Sequence, residues 1–220
     1  MNKIKVLYDV VKAIRNKEVI NGILTADIQK DQTTIFAIKN EFEKNLLTGQ
    51  TKAKINTELD YEGKSVKHES ATEFTIPFGG GRFHGGMPPM HHHHGGRCGG
   101  LRGRFSKLAF ALGLLNALEI KEQGNSTLVL SLEAANLPDD AKEMVRERMS
   151  HADAHHPRHG FMKEICSLEK LDFKVTVFIN PNYDIEKVLV TFSGSQQGEQ
   201  KEQHEIKANA ELAFHAAESK

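Results

Sequence analysis

A segment rich in glycine and histidine divides this chain, and it limits which residues can build a core. Ten of the 18 glycines lie between residues 79 and 103, together with five of the twelve histidines, two methionines and one of the two cysteines. A segment of this composition cannot bury enough apolar surface to offset the entropy of ordering it. We therefore predict a flexible insertion over residues 79–103, outside a core that is built from the residues on either side.

Alternating apolar and polar residues predict antiparallel strands on both sides of the insertion. Residues 20–77 have the pattern of a meander with polar turns at 30–32 and 61–64. In the C-terminal third the strand pattern covers residues 171–179, 188–192 and 206–214. Because side chains alternate between the two faces of a strand, one polar set is predicted on the solvent face, opposite one apolar set. The polar set is Asp172, Lys174, Glu205, Lys207 and Glu211, and the apolar set is Phe173, Val175, Ile206 and Leu212.

Three segments carry helical spacing or helix-start signals. Residues 3–16 place Ile4, Leu7, Val11 and Ile14 on one stripe, with Val10 beside them. Residues 105–121 are apolar on more than half of the helix circumference, which predicts a well-covered helix. Residues 138–149 begin with a proline and two acids, as a helix start does. A short strand is predicted between the last two helices, at residues 128–132.

This order of elements predicts an α+β fold with a curved, half-barrel-like antiparallel sheet packed against a few helices. A sheet with one wet face needs cover for the other face, and the central helices are available for it. We predict a single domain over residues 1–220; the alternative is two small subdomains that divide near the insertion.

The strand patterns resemble the half-barrel of LolA-like lipoprotein carriers and of related mycobacterial and Firmicute lipoproteins. The resemblance rests on the segments 22–28, 61–67 and 174–187. It implies a curved sheet but does not extend to the Gly/His-rich insertion, and those families are exported, whereas the N-terminus here lacks the apolar run of an export signal.

Overall charge and cysteine content bound the function classes. Lysine plus arginine equals aspartate plus glutamate at 29 each, so no net charge steers the chain toward nucleic acid. Arginines set in glycine resemble RNA-binding segments, but the run is short and does not repeat. No window is apolar enough to span a membrane. We predict a soluble cytoplasmic protein in which both cysteines are thiols; its oligomeric state is left open.

The insertion offers the side chains that transition metals prefer. Imidazole suits Ni, Zn and Cu(II), whereas thioether and thiol favour Cu(I). The spacing matches no closed structural zinc motif, which indicates an exchangeable site. The candidate ligands here are His84, Met87, Met90, His91, His92, His93, His94 and Cys98. The alternative is a His/Gly run in solvent that binds metal without a biological role.

A second histidine cluster follows the predicted helix at residues 138–149. His151, His155 and His159 are spaced four residues apart, and on a helix the first two would share a face. The alternative is a polar connector.

No acid–base, nucleophile or phosphate-loop motif is complete, so we predict no catalysis. The sequence therefore predicts a non-catalytic metal-binding or metal-handling protein, with two alternatives: a carrier of an apolar ligand or lipid in a half-barrel cavity, and a protein-interaction module.

Overall fold

Nine strands form one antiparallel sheet in the computed structural model, which describes residues 1–61, 63–75, 110–145, 168, 170–197 and 202–215. The strands are β1 (Val19–Lys30), β2 (Thr33–Asn45), β3 (Gln50–Tyr61), β4 (Lys64–Thr75), β5 (Glu119–Gln123), β6 (Thr127–Glu133), β7 (Lys170–Ile179), β8 (Ile185–Gln197) and β9 (Gln203–Phe214). Their order is β4-β3-β2-β1-β9-β8-β7-β6-β5. The sheet is curved and unclosed, which confirms the predicted half-barrel-like α+β fold.

The two predicted meanders are both present, and β1 joins them by pairing with β9. Two-residue turns connect β1 with β2 and β3 with β4, whereas four residues separate β2 from β3. Asp31 and Gln32 both have positive φ (49° and 69°), as a hairpin turn between right-twisted strands requires. Gly63 has φ of 72° in the turn before β4, a conformation that glycine adopts without steric cost.

Helix α1 (Lys3–Arg15) confirms the predicted N-terminal helix. The Asn2 side chain caps it by accepting hydrogen bonds from the Ile4 and Lys5 amides. The predicted apolar stripe is wrong in part: Val10 is buried and Leu7 and Ile14 pack against the core, but Ile4 and Val11 are exposed, and Val6 is buried instead. The buried face is turned toward β6 and β7, where Leu130 and Ile179 lie.

The helix predicted over residues 105–121 is shorter at its C-terminal end. Residues 110–117 are helical (α2), and β5 begins at Glu119. Ile120 pairs with Leu130 of β6, so the backbone of this stretch is hydrogen-bonded in the sheet rather than in a helix. Leu112, predicted to be covered, is 52% exposed. Residues 105–109 lie outside the described residues.

Two apolar clusters lie beneath the helices. Val6 and Val10 of α1 pack with Leu128, Leu130 and Ile179, and Ile179 is fully buried. The second cluster joins α2 to the helix at residues 139–145 (α3), which confirms the described part of the helix predicted from residue 138. Its buried members are Ala117, Leu137 and Ala141, with Phe110, Leu114, Leu132 and Phe173 packed against them.

The predicted faces of the C-terminal meander are confirmed. The polar set (Asp172, Lys174, Glu205, Lys207 and Glu211) is exposed. In the apolar set on the other face Ile206 is fully buried, whereas Phe173, Val175 and Leu212 are half-buried. The pairing of Val175 with Val190, and of Val190 with Ala210, continues the apolar face from strand to strand.

Candidate functional site

The residues predicted as metal ligands all lie outside the described residues. They are His84, Met87, Met90, His91, His92, His93, His94, Cys98, His151, His155 and His159, and the insertion predicted at residues 79–103 lies there with them. In the part of the chain that the structure describes, no three His, Cys, Asp or Glu side chains are grouped so that they could hold a metal ion. The described histidines are His68, His204 and His215.

Two described residues on the sides of the histidine-rich segments that are nearer to each other in sequence belong to one packed cluster. Phe110 is the first described residue after the Gly/His-rich segment, and it packs in the cluster that contains Ala141 of α3. Helix α3 is described as far as residue 145, six positions before His151. The chain therefore resumes after the first segment, and is last described before the second, in the same pair of packed helices, whereas the last described residue before the first segment is Thr75 at the far edge of the sheet.

The α2 end of this helix pair is fixed to α1 by polar contacts. The Lys3 ammonium donates to the Leu115 and Asn116 carbonyl oxygens, at 3.2 and 3.0 Å. The last carbonyls of a helix have no partner within the helix and carry partial negative charge, so a cation there is favourable. This contact links the end of α2 to the first residue of α1.

An aspartate–histidine pair lies where the β1–β2 turn meets β9. His204 Nδ1 is 2.7 Å from Asp31 Oδ2, while the Glu205 amide donates to Asp31 Oδ1 at 2.9 Å. The pKa of Asp31 lies below its ordinary value, chiefly because of the hydrogen bond from the Glu205 amide and next because of that from His204. A carboxylate in this position orients an imidazole, as it does behind metal-bound histidines.

This pair was missed by the sequence analysis. Residues 30–32 were identified as a turn, but His204 is 173 positions away, and only the β1–β9 pairing brings it close. Alone it supplies one oriented imidazole, too few ligands for a metal site. Its evident role is to fasten the turn to β9, since the Asp31 amide also donates to the Glu205 carbonyl oxygen at 2.9 Å.

The apolar face of β1, β2 and β9 is half-buried over most of its length, although Ile206 at one end of β9 is fully buried. Both helix-covered clusters are built from other elements. The half-buried residues on this face are Leu24, Ala26, Ile28, Phe36, Ile38, Phe42, Ala208, Ala210, Leu212 and Phe214. Asn40 lies among them, between Leu24 and Ile55, and its side-chain oxygen is buried without a hydrogen-bond partner in the described ranges. The face thus combines apolar surface with one unused acceptor.

The opposite face of the N-terminal strands is charged. It carries a depression of about 630 Å³ lined by Ile23, Glu41, Glu43, Lys52, Lys54 and His215, among others. Opposite charges are paired there: Lys39 Nζ is 2.8 Å from Glu41 Oε1, and Lys54 Nζ is 3.2 Å from Glu69 Oε1. The hydrogen bond from Lys39 lowers the pKa of Glu41, as expected for an exposed ion pair. The depression has no excess positive charge with which to attract a polyanion.

No family model matches the chain, and no curated protein matches it. Among the solved structures that resemble it weakly are two with a TM-score of 0.15. One is an N-terminal dehydratase from a difficidin assembly line, at 10% identity over 97% of this chain and 84% of the other. The second is the acyl-CoA thioesterase II TesB2 from Mycobacterium marinum, at 13% identity over 96% and 88%. At this TM-score neither likeness supports a fold or a function.

A helix able to cross a membrane would have to be long and apolar, and the described ranges contain none.

Proposed function

We propose that the protein binds and handles a transition metal through its two histidine-rich segments acting together, without catalysis. Nine of the twelve histidines and both cysteines lie between residues 84 and 166. The observation that carries the proposal is that Phe110, which follows the first segment, and Ala141, in the helix that precedes the second, share one packed cluster. Segments that are attached to the same cluster can supply ligands to one ion at a smaller entropic cost than segments attached far apart.

The ligand chemistry favours a borderline or soft metal: Ni, Zn or Cu. Adjacent histidines point apart, so residues 91–94 supply two imidazoles to one ion at most, and His151, His155 and Cys98 are the candidates to complete the coordination. A thiol ligand requires that Cys98 stays reduced, which fits the predicted cytoplasmic location. An open ligand set of this kind suits exchange of the ion better than permanent storage.

The first test is the metal content of protein that is purified without a metal-affinity column. Calorimetry with Ni, Zn, Cu and Co should then give micromolar affinity or tighter, about 8 kcal/mol or more of binding free energy. Because coordination requires neutral imidazole, the affinity should fall steeply as the pH drops through about 6.5.

Variants distinguish a joint site from two separate ones. One replaces residues 87–98 by Gly/Ser, a second changes His151, His155 and His159 to Ala, and a third combines both. A shared ion predicts that each of the first two loses most of the affinity and that the third loses little more. Two independent sites predict instead that each of the first two variants loses its own bound ion and that the combined variant loses both. His215→Ala, outside both segments, is the control. Unchanged binding in the combined variant would refute the proposal.

A second candidate is the binding of an apolar ligand that carries one polar group. The half-buried apolar face of β1, β2 and β9 favours it, together with the unpaired Asn40 oxygen on that face. Ligand sites in proteins are commonly apolar surfaces with few convergent polar groups. The predicted resemblance to LolA-like carriers would agree with this function.

The test is mass spectrometry of organic extracts of the purified protein, followed by titration with the fluorescent probe N-phenyl-1-naphthylamine. Ala26→Gln places a polar side chain between Ile38 and Ala210 on the apolar face and should reduce probe binding about tenfold. Thr25→Gln, on the other face, is the matched control. No extracted ligand and equal probe binding by both variants would exclude this candidate, and neither result depends on the histidine segments.

A further inference from the structure

Strand β4 is an edge of the sheet, and its outer side pairs with no described strand. It is twelve residues long, and Ser70 is its one residue that is not exposed. A long exposed edge presents a row of unpaired amide and carbonyl groups to which another strand can add. Two large apolar side chains near its ends, Val66 and Phe74, are 54% and 44% exposed.

The β3–β4 turn determines which residues of β4 offer their backbone to a new strand. Two residues separate Tyr61 from Lys64, so these two form the hydrogen-bonded pair that closes the turn. Hydrogen-bonded and non-hydrogen-bonded pairs alternate along an antiparallel ladder. Even-numbered residues of β4 therefore bond to β3, and the odd-numbered residues, such as Lys67, Ala71 and Glu73, direct their N–H and C=O groups outward.

A second copy of β4 can pair with the first about a twofold axis, provided that outward groups meet outward groups. This condition excludes every register whose axis falls between two residues, because such an axis pairs odd-numbered residues, whose groups point outward, with even-numbered ones, whose groups are already bonded to β3. If the axis passes through Glu69, this carboxylate faces the same carboxylate of the second copy. If the axis passes through Ala71, Glu69 faces Glu73 on both sides of the axis. Both registers place like charges opposite each other. If it passes through Ser70, Lys67 faces Glu73 twice, which are two favourable cross-strand pairs.

The axis through Ser70 also matches the apolar side chains. Val66 then faces Phe74 twice, on the same face of the sheet, and both residues are otherwise exposed. The pairing extends from Ser65 to Thr75, so it uses almost all of the strand. We infer that β4 is a homodimer interface in which two copies of this chain join edge to edge, with Ser70 on the twofold axis.

The decisive experiment mixes two charge variants of the full chain. Lys67→Glu alone should place glutamate opposite glutamate, and Glu73→Lys alone should place lysine opposite lysine. Each should weaken dimerisation about tenfold or more in sedimentation equilibrium. A mixture of the two restores opposite charges at both pairs and should form a heterodimer as tight as the wild-type dimer.

Two controls separate the interface from the stability of the subunit. Lys67 is also 2.9 Å from Glu58 within the same chain, so melting curves of both variants are needed. Lys64→Glu changes a lysine of the same strand that faces no β4 residue in this register, and it should leave the dimer unchanged. Ala71→Pro removes an outward amide that β3 does not use, so it should abolish the dimer and keep the fold.

Disulfide formation tests directly which residues of the two β4 strands lie opposite each other. In a background where Cys98 and Cys166 are Ser, Ser70→Cys should cross-link two copies, because a non-hydrogen-bonded pair has Cα atoms about 4.5 Å apart, within disulfide range. Glu69→Cys and Ala71→Cys should cross-link much less. A wild-type protein that stays monomeric throughout the sedimentation range, or a dimer unaffected by Lys67→Glu, Glu73→Lys and Ala71→Pro, would overturn the inference.

Discussion

The two halves of the sheet are built from the same kind of alternating strand, but they differ in what covers them. Beneath α1, Ile179, Leu128 and Leu130 are 0, 5 and 4% exposed. On the N-terminal side Ile35 is 6% exposed, but Leu24, Ile38 and Ile55 stay half-buried, and nearly all of β4 is exposed. Alternation decides which face of a strand is apolar; whether that face is buried depends on a second layer, and stability should be concentrated where the layer is present.

The largest expected loss of stability comes from truncating one isoleucine in each half to alanine. Ile179→Ala should cost about 3 kcal/mol, since a fully buried side chain leaves a cavity beneath α1. Ile55→Ala, on the half-buried face of β3, should cost about 1 kcal/mol because less apolar area returns to water. Urea unfolding with equal m-values measures both. Equal losses would contradict the contrast between the halves.

A smaller loss is expected at a tightly packed point in the N-terminal half. A Cβ added to Gly22 would lie 2.5 Å from the Ala213 carbonyl oxygen and 3.2 Å from the Phe42 ring. Phe42 and Phe214, the cross-strand neighbours of Gly22, form an edge-to-face pair with centroids 6.4 Å apart. Gly22→Ala should therefore cost about 2 kcal/mol in urea.

The matched change for Gly22→Ala is Gly124→Ala, where an added Cβ would meet nothing within 4 Å. It should leave the urea midpoint close to the wild-type value. If Gly22→Ala also left the urea midpoint unchanged, the backbone around β1 would have to shift to make room for the added Cβ. The N-terminal half would then be less tightly packed than the contacts of Gly22 indicate.

Both meanders, their faces and helix α1 could be predicted from the sequence, because period two and period three to four are local signals. The end of α2 could not. In residues 118–121, Leu118 and Ile120 fit the helical stripe but also alternate with Glu119 and Lys121 as in a strand, and the pairing of Ile120 with Leu130 decides between the two. Exposure of Ile4 and Val11 likewise depends on how α1 is rotated against β6 and β7. For the candidate site, the sequence indicated ligand chemistry, whereas the shared attachment of Phe110 and Ala141 is a tertiary contact.

A still smaller effect, with a pH signature, is expected at the junction of the halves. Hydrogen bonds lower the folded-state pKa of Asp31 below the ordinary value of 3.8. The stabilisation is therefore complete above that value and is lost as the pH falls through the lower, folded-state pKa. Since Asp31 is exposed, screening limits it to about 0.5 kcal/mol. Asp31→Asn should lower stability at neutral pH, and the difference from wild type should vanish in acid; a difference independent of pH would contradict the role of the charge.

The smallest effect is expected on the polar face of the helix-covered half. Lys174 Nζ lies 2.7 Å from Glu133 Oε1, and their hydrogen bond raises the pKa of the lysine and lowers that of the glutamate. The lysine and glutamate side chains are 52 and 40% exposed, so water and salt screen the pair and the entropy of two long side chains offsets it. Lys174→Ala should therefore leave the urea midpoint unchanged within error, whereas Val175→Ala, one residue along on the apolar face, should lower it. If both variants lowered the urea midpoint by a similar amount, the face of the strand would not determine how much a side chain in this half contributes to stability.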